Sequence, residues 1–162
     1  MKIVIRLATI DDKALAFKLF VSSRNEFSRL GWEPAQVEAL LREQFEFQKH
    51  GRKSKRPRST DEVIVADGVD CGYLTVDRSG PEIVLVDLAI LPEFQGSGIG
   101  SKALEQLLES ATQSKQNVVL SVASDNPAQR LYERLGFSVV GENGMYRSMK
   151  WPFSVLETRV AA

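Results

Sequence analysis

The sequence predicts an α+β domain: a single mixed, mostly antiparallel sheet flanked by helices. Three observations carry that expectation. Short apolar segments at 62–66 and 71–76 flank Asp67-Gly68, a dipeptide that tolerates positive φ and marks a hairpin turn. A second turn signal, Ser79-Gly80, leads into the apolar, β-branched run 83–91, so three consecutive strands form an antiparallel meander. That run is followed by a glycine turn, a helical pattern and another apolar run at 117–122, and a strand-helix-strand succession joins parallel neighbours.

In chain order, 2–7 reads as the first strand. Thr9, followed three residues later by Asp12, marks a helix start, and Ala14, Leu15, Leu19 and Phe20 give that helix a buried stripe to about Ser23. A second helix begins at Pro34, since proline is tolerated at the first helical position, with Val37, Leu40, Leu41 and Phe45 on its apolar face. Between them, Arg24, Glu26, Phe27 and Trp32 are candidates either for a substrate-binding wall or for helix-to-helix packing. Six Lys or Arg residues crowd 49–59 around the single histidine, His50. Without interleaved aromatic residues this run is expected to be a mobile, solvated loop rather than a nucleic-acid contact. His50, flanked by lysine and glycine, has no ligand types beside it, and no metal site is expected. Near the end of the chain a short helix over 128–135 stops at Gly136, and 137–140 and 145–151 form a last hairpin around Glu142-Asn143-Gly144.

Composition narrows the partners. Lys plus Arg and Asp plus Glu both number 21, so no global charge recruits nucleic acid or an anionic membrane. Hydrophobic residues make up 43% of 162, enough for one core, and we expect a single domain over 1–152 followed by a tail, 153–162. The lone cysteine, Cys71, excludes an internal disulfide and reads as a small buried hydrophobe. With no signal peptide or bilayer-length apolar run visible, the expected setting is cytoplasmic and reducing.

The stretch with the clearest chemistry is EIVLVDLAILPEFQGSGIGS, 82–101. Pro92 removes a ladder donor and ends the strand, and Gly96, Gly98 and Gly100 then precede a helix whose apolar face is Ala103, Leu104, Leu107, Leu108 and Ala111. The first turn of a helix carries unpartnered N–H groups and the positive end of the macrodipole, so glycines there let the main chain approach a phosphate closely. Gln95 can add a side-chain amide. Ser101 stands where a dinucleotide fingerprint needs its third glycine, and the Gly-Lys-Ser/Thr of a P-loop is absent. A tight turn without a ligand is the bland alternative.

A second motif, SDNPAQRLYERLGF at 124–137, starts a helix just after a strand end and beside the glycine turn. Together, Gln95-Gly96-Ser97-Gly98-Ile99-Gly100 and Asn126-Pro127-Ala128 with Leu131-Tyr132 and Gly136-Phe137 resemble the GNAT superfamily of N-acetyltransferases, whose order of elements the chain follows from about Arg6 to Trp151. The resemblance implies a fold in which the fourth strand splays from the fifth, leaving a V for the pantetheine arm of acetyl-CoA. It implies that the main chain of Leu88, Ala89 and Ile90 bonds that arm and that Gln95, Gly96, Ser97, Gly98, Ile99, Gly100 and Ser101 hold the pyrophosphate. Asn126 and Tyr132 would contact the arm.

The same resemblance suggests three catalytic candidates. Tyr132 matches the position of a tyrosine that protonates the departing thiolate; a core tyrosine is its alternative. Asp87, the one charge inside VLVDLAIL, is the first choice for the base that frees the amine, and a carboxylate satisfied by a basic neighbour is the competing explanation. Glu82 is the second choice, in a register about two residues off the family's glutamate. The implied activity is acetyl transfer from acetyl-CoA, as cosubstrate and without a metal, to a primary amine of a small molecule. Protein or peptide acetylation and a non-catalytic acetyl-CoA sensor remain alternatives. Neither a membrane nor nucleic acid is an expected partner; a homodimer is compatible with the sequence, although no residue specifies it.

Overall fold

The computed structural model describes residues 1–24 and 31–154. The chain begins with β1 (Ile3–Leu7), a one-turn 3-10 helix (Ile10–Asp12), α1 (Lys13–Ser22) and α2 (Pro34–Lys55). The meander follows as β2 (Thr60–Ala66), β3 (Val69–Asp77) and β4 (Ile83–Ile90), then α3 (Ile99–Ser114), β5 (Val118–Ala123), α4 (Gln129–Leu135), β6 (Ser138–Glu142) and β7 (Tyr146–Trp151). The seven strands form one sheet in the order β1-β2-β3-β4-β5-β7-β6, antiparallel throughout except where β4 meets β5. Asp67 and Gly68 both have positive φ, 48° and 81°, the geometry the hairpin needs.

Neighbouring residues of a strand face opposite ways, and β3 shows what each face carries. Leu74 and Val76 join the main core with Ile64, Leu104, Leu107, Val118, Met149 and Trp151, beneath α3. Tyr73 points the other way, its hydroxyl donating to the carbonyl of Asp12 at 3.3 Å at the start of α1. Helices α1 and α2 therefore lie on the face opposite α3, joined by Phe45 stacking its edge on Phe17 and Phe20, both with centroids 5.5 Å away. Thr9 caps the 3-10 turn as the sequence implies: its hydroxyl accepts from the N–H of Asp11, and the Asp12 carboxylate accepts from the N–H of Thr9 at 2.8 Å.

The basic run is not the loop that its charge suggests. Residues 49–55 are the last two turns of α2. Lys and Arg are good helix formers, and cations are favoured at the negative end of the helix macrodipole, so the charge that reads as solvation also stabilises the helix terminus. The helix stops at Arg56 because Pro57 disfavours helical backbone in the residue before it. Lys53 donates to the carbonyl of Ser59 at 2.9 Å and Arg56 pairs with Asp77 at 3.4 Å, tying the run back to the sheet. Among the described residues no helix is long and apolar enough to cross a membrane. Glu26, Phe27 and most of the tail, 155–162, lie outside the described residues; Phe153 packs on the core and its N–H donates to the Asn117 side chain at 3.1 Å.

Candidate active site

The centre of the molecule is the line where β4 and β5 part. They pair over only Ile83, Val84 and Leu85 against Val118, Val119 and Leu120. On its other edge β4 pairs Leu85 with Val76 and Asp87 with Thr75, leaving Val86 as an extra, bulged residue. A bulge bends its strand and sharpens the local twist, and this one falls one residue after the last β4–β5 pair. Beyond it, Ser121, Val122 and Ala123 stay paired to β7 but not to β4. The result is a gap walled by Leu88, Ala89 and Ile90 on one bank and Ala123 and Asn126 on the other, continuous with a cleft of about 1340 Å³ beneath α1 and α2.

The glycine turn closes one end. Gly98 is the N-cap of α3 with φ 85°, and Gly96 has φ 77°; both lie in the left-handed region that side chains resist, with no atom within 4 Å of where a Cβ would stand. No side chain caps α3. Ser97 donates instead to the carbonyl of Phe94 at 2.7 Å, leaving the first N–H groups at Ile99, Gly100 and Ser101 open to an anion. A Cβ at Gly100 would stand 3.7 Å from Leu131 and 3.9 Å from Leu88, so the helix start faces side chains of α4 and β4. Gln95 does not aim its amide at the turn's open side as expected; it donates to the carbonyl of Ile90 at 2.9 Å and pins the end of β4. Asn126 is likewise committed in part, its side-chain oxygen accepting from the N–H of Ala128 at 2.9 Å at the start of α4.

Tyr132 and Asp87 are brought within electrostatic reach of each other. Tyr132 on α4 is 8% exposed and rests edge-on against Phe137, centroids 5.6 Å apart. Burial, and secondarily the Asp87 charge, push its phenol up to about 12. Asp87 lies on the cleft side of β4 and takes a hydrogen-bonded ion pair from Arg52 of α2 at 3.3 Å, both side chains being over one-third exposed or close to it (41% and 35%). Glu82 is elsewhere. It precedes the closed, paired end of β4, about 16 Å along the strand from Asp87, and its carboxyl is held below the usual range by Lys150, 2.9 Å away.

Two participants lay outside the sequence reading. Arg52 lies within the basic run that reads as a solvated loop, and its spacing from Phe45 and Lys49, at helical intervals, is the sequence signal for it. Gln129, buried, donates to the carbonyls of Ala123 and Ser124 at 3.0 and 2.8 Å and accepts from Arg147 at 2.6 Å, which fixes the far bank of the gap. Arg24 lines the cleft with its guanidinium 4.5 Å over the Phe20 ring, whereas Trp32 is half exposed and not part of the lining. The cleft's charged lining is Lys13, Arg24, Lys49, Arg52 and Lys53 against Glu46, Asp61 and Asp87, with His50 among them.

Residues 59–139, half of the chain, match the model of the family described as acetyltransferase (GNAT) domain. The chain belongs to the GNAT acetyltransferase family. This GNAT chain is 38% identical over 64 residues to the 5-NmdU N-acetyltransferase of Pseudomonas phage PaMx11, covering 39% of the chain and 44% of the relative. It is 38% identical over 60 residues to the ribosomal protein bS18 alanine N-acetyltransferase of Haemophilus influenzae, covering 36% and 41%. The matches thus span less than half the length of these curated relatives. In fold, the GNAT chain is similar to PaiA N-acetyltransferase from Thermoplasma acidophilum in complex with coenzyme A, with a TM-score of 0.70 at 20% identity over 94% of this chain and 99% of that one.

Proposed function

We propose that this GNAT domain transfers the acetyl group of acetyl-CoA directly to a primary amine of a small molecule. The observation that carries the reading is the gap beyond Val86: an open strand edge that leads from an uncapped helix N-terminus at Gly98 to the Asp87 carboxylate in the cleft wall. The residues fit the cosubstrate. An extended chain of amides needs partners along its length, which the unpaired edge of Leu88, Ala89 and Ile90 offers in the manner of an added strand. A diphosphate needs converging N–H groups without a Cβ in the way, which the turn from Gly96 to Ser101 offers.

Bound there, acetyl-CoA supplies an activated acyl carbon and a thiolate leaving group. The protein's tasks are positional and protonic. Asp87, directly or through a water, takes the proton that keeps an ammonium from acting as a nucleophile. Main-chain N–H groups along the β4 edge face the carbonyl oxygen where negative charge develops. Tyr132 stays protonated at neutral pH and gives its proton to the sulfur. The two steps reinforce each other: a proton arriving on Asp87 removes the negative charge that helps hold the phenol up, so the acid strengthens as the base is used.

The test is a panel of amines, amino acids, aminoglycosides and peptides incubated with acetyl-CoA and the protein, with free thiol and N-acetyl product as readouts. Thiol release that depends on a small amine supports the reading. Acetyl-CoA binding without thiol release for any acceptor replaces it with a sensor, and acetylation confined to peptides replaces it with peptide modification.

A further inference from the structure

The charge on the acceptor side of the cleft bears on which amine it accepts. Asp87, the proposed base, is not a lone carboxylate: Arg52 stands 3.3 Å from it, and both open onto the cleft. Lys49, one turn before Arg52, and Lys53 also line the cleft, and cations outnumber carboxylates in the lining although the chain as a whole has no net charge. We infer that the acceptor carries an anionic group, carboxylate or phosphate, close to the amine it presents, and that Arg52 is the residue that reads it.

The physical argument concerns what happens to the Arg52–Asp87 pair when an ammonium approaches Asp87. A purely cationic acceptor competes with Arg52 for the carboxylate and leaves the guanidinium without its partner in a half-buried wall, at a cost. It also meets Lys49 and Lys53, which repel it. An acceptor with both charges exchanges one ion pair for two, its ammonium on Asp87 and its anion on Arg52. In an α-amino acid one Cα separates the two ends, which lie within about 3 Å of each other, a match to the 3.3 Å between the two protein groups. Arginine's planar fork suits a carboxylate or a phosphate equally, so the anion's chemistry is common to both sources.

This inference rests on the acetyl-transfer reading and is tested by matched pairs of acceptors. Each α-amino acid is compared with its decarboxylated amine, O-phosphoethanolamine with ethanolamine, and spermidine is included as a purely cationic acceptor. We expect the anion-bearing member of at least one type of pair to win by about tenfold or more in kcat/KM, and which type it is identifies the anion. In Arg52→Gln that ratio falls to near one, chiefly through a raised KM for the anionic member, and Arg52→Lys restores part of it. Lys55→Gln, the same charge change on the same helix but off the cleft, keeps the wild-type ratio. Preference for the decarboxylated amines or spermidine overturns the inference and leaves acetyl transfer standing. So does an Arg52→Gln variant that lowers both members of a pair equally, since that is the signature of a structural support for Asp87. Acetyl-CoA binding by calorimetry with no acceptor of any kind acetylated overturns both.

Discussion

At the residue scale, two side chains divide the proton work, and each leaves its own signature. Tyr132→Phe removes only the hydroxyl from a ring that stays packed on Phe137; kcat should fall by about 100-fold, with acetyl-CoA affinity by calorimetry close to wild type. The sign of its pH behaviour is fixed by burial. A phenol pushed up to about 12 is protonated, and so competent as a donor, at every pH below that value, so no loss of kcat attributable to Tyr132 should be seen between pH 7 and 10. Asp87→Asn should behave differently. Its deficit should be large at pH 7 and shrink as pH rises toward the amine's own pKa of about 10.4, where the free base no longer needs help; a deficit constant across that range would assign Asp87 to structure alone. Both residues stand out in the sequence, one as a charge inside an apolar strand and the other inside a helix motif. The partner of Asp87 does not, because Arg52 lies 35 positions away and its meaning depends on a helix continuing through what looks like a solvated run.

At the element scale the site is a junction of three backbone features. The glycine turn and α3 are legible in the sequence: the apolar face expected at Ala103, Leu104, Leu107, Leu108 and Ala111 is the face that α3 buries. Glycine spacing and the 3.6-residue apolar repeat are local properties that the chain displays openly. The bulge at Val86 was not legible, since it exists only in the register between β3 and β4, and register is a relation between distant segments. Gly98→Ala probes the turn. With no atom within 4 Å of a new Cβ the methyl has room, but φ at 85° imposes strain of about 1 kcal/mol. Acetyl-CoA affinity should weaken by about tenfold while kcat at saturation stays near wild type. Unchanged affinity would mean that the turn does not hold the diphosphate.

At the scale of the whole molecule, the order of elements was readable from alternation of strand and helix signals, and the mixed sheet followed from one strand-helix-strand passage. What ties the layers together was not. Arg6 grips both oxygens of the buried Asp12 at 2.8 and 2.9 Å and reaches Asp70 at 3.1 Å, so one cluster joins β1, the entrance to α1 and the start of β3. Arg6 and the N–H of Thr9 hold the Asp12 carboxyl well below its ordinary value of 3.8. A depressed folded-state value stabilises the fold above the ordinary value, and that contribution is lost progressively as pH falls below it. Asp12→Asn should therefore lower the midpoint of chemical denaturation at pH 7 and differ less from wild type at pH 3; a gap equally wide at both pH values would refute the linkage. The sheet itself is bound by a short spine. Its two halves, β1 to β4 and β5 to β7, meet through three register pairs at one end and stand apart at the other. Room for a slender guest thus follows from strand pairing itself, and the spacing of the two halves sets a ceiling on the girth of whatever threads between them.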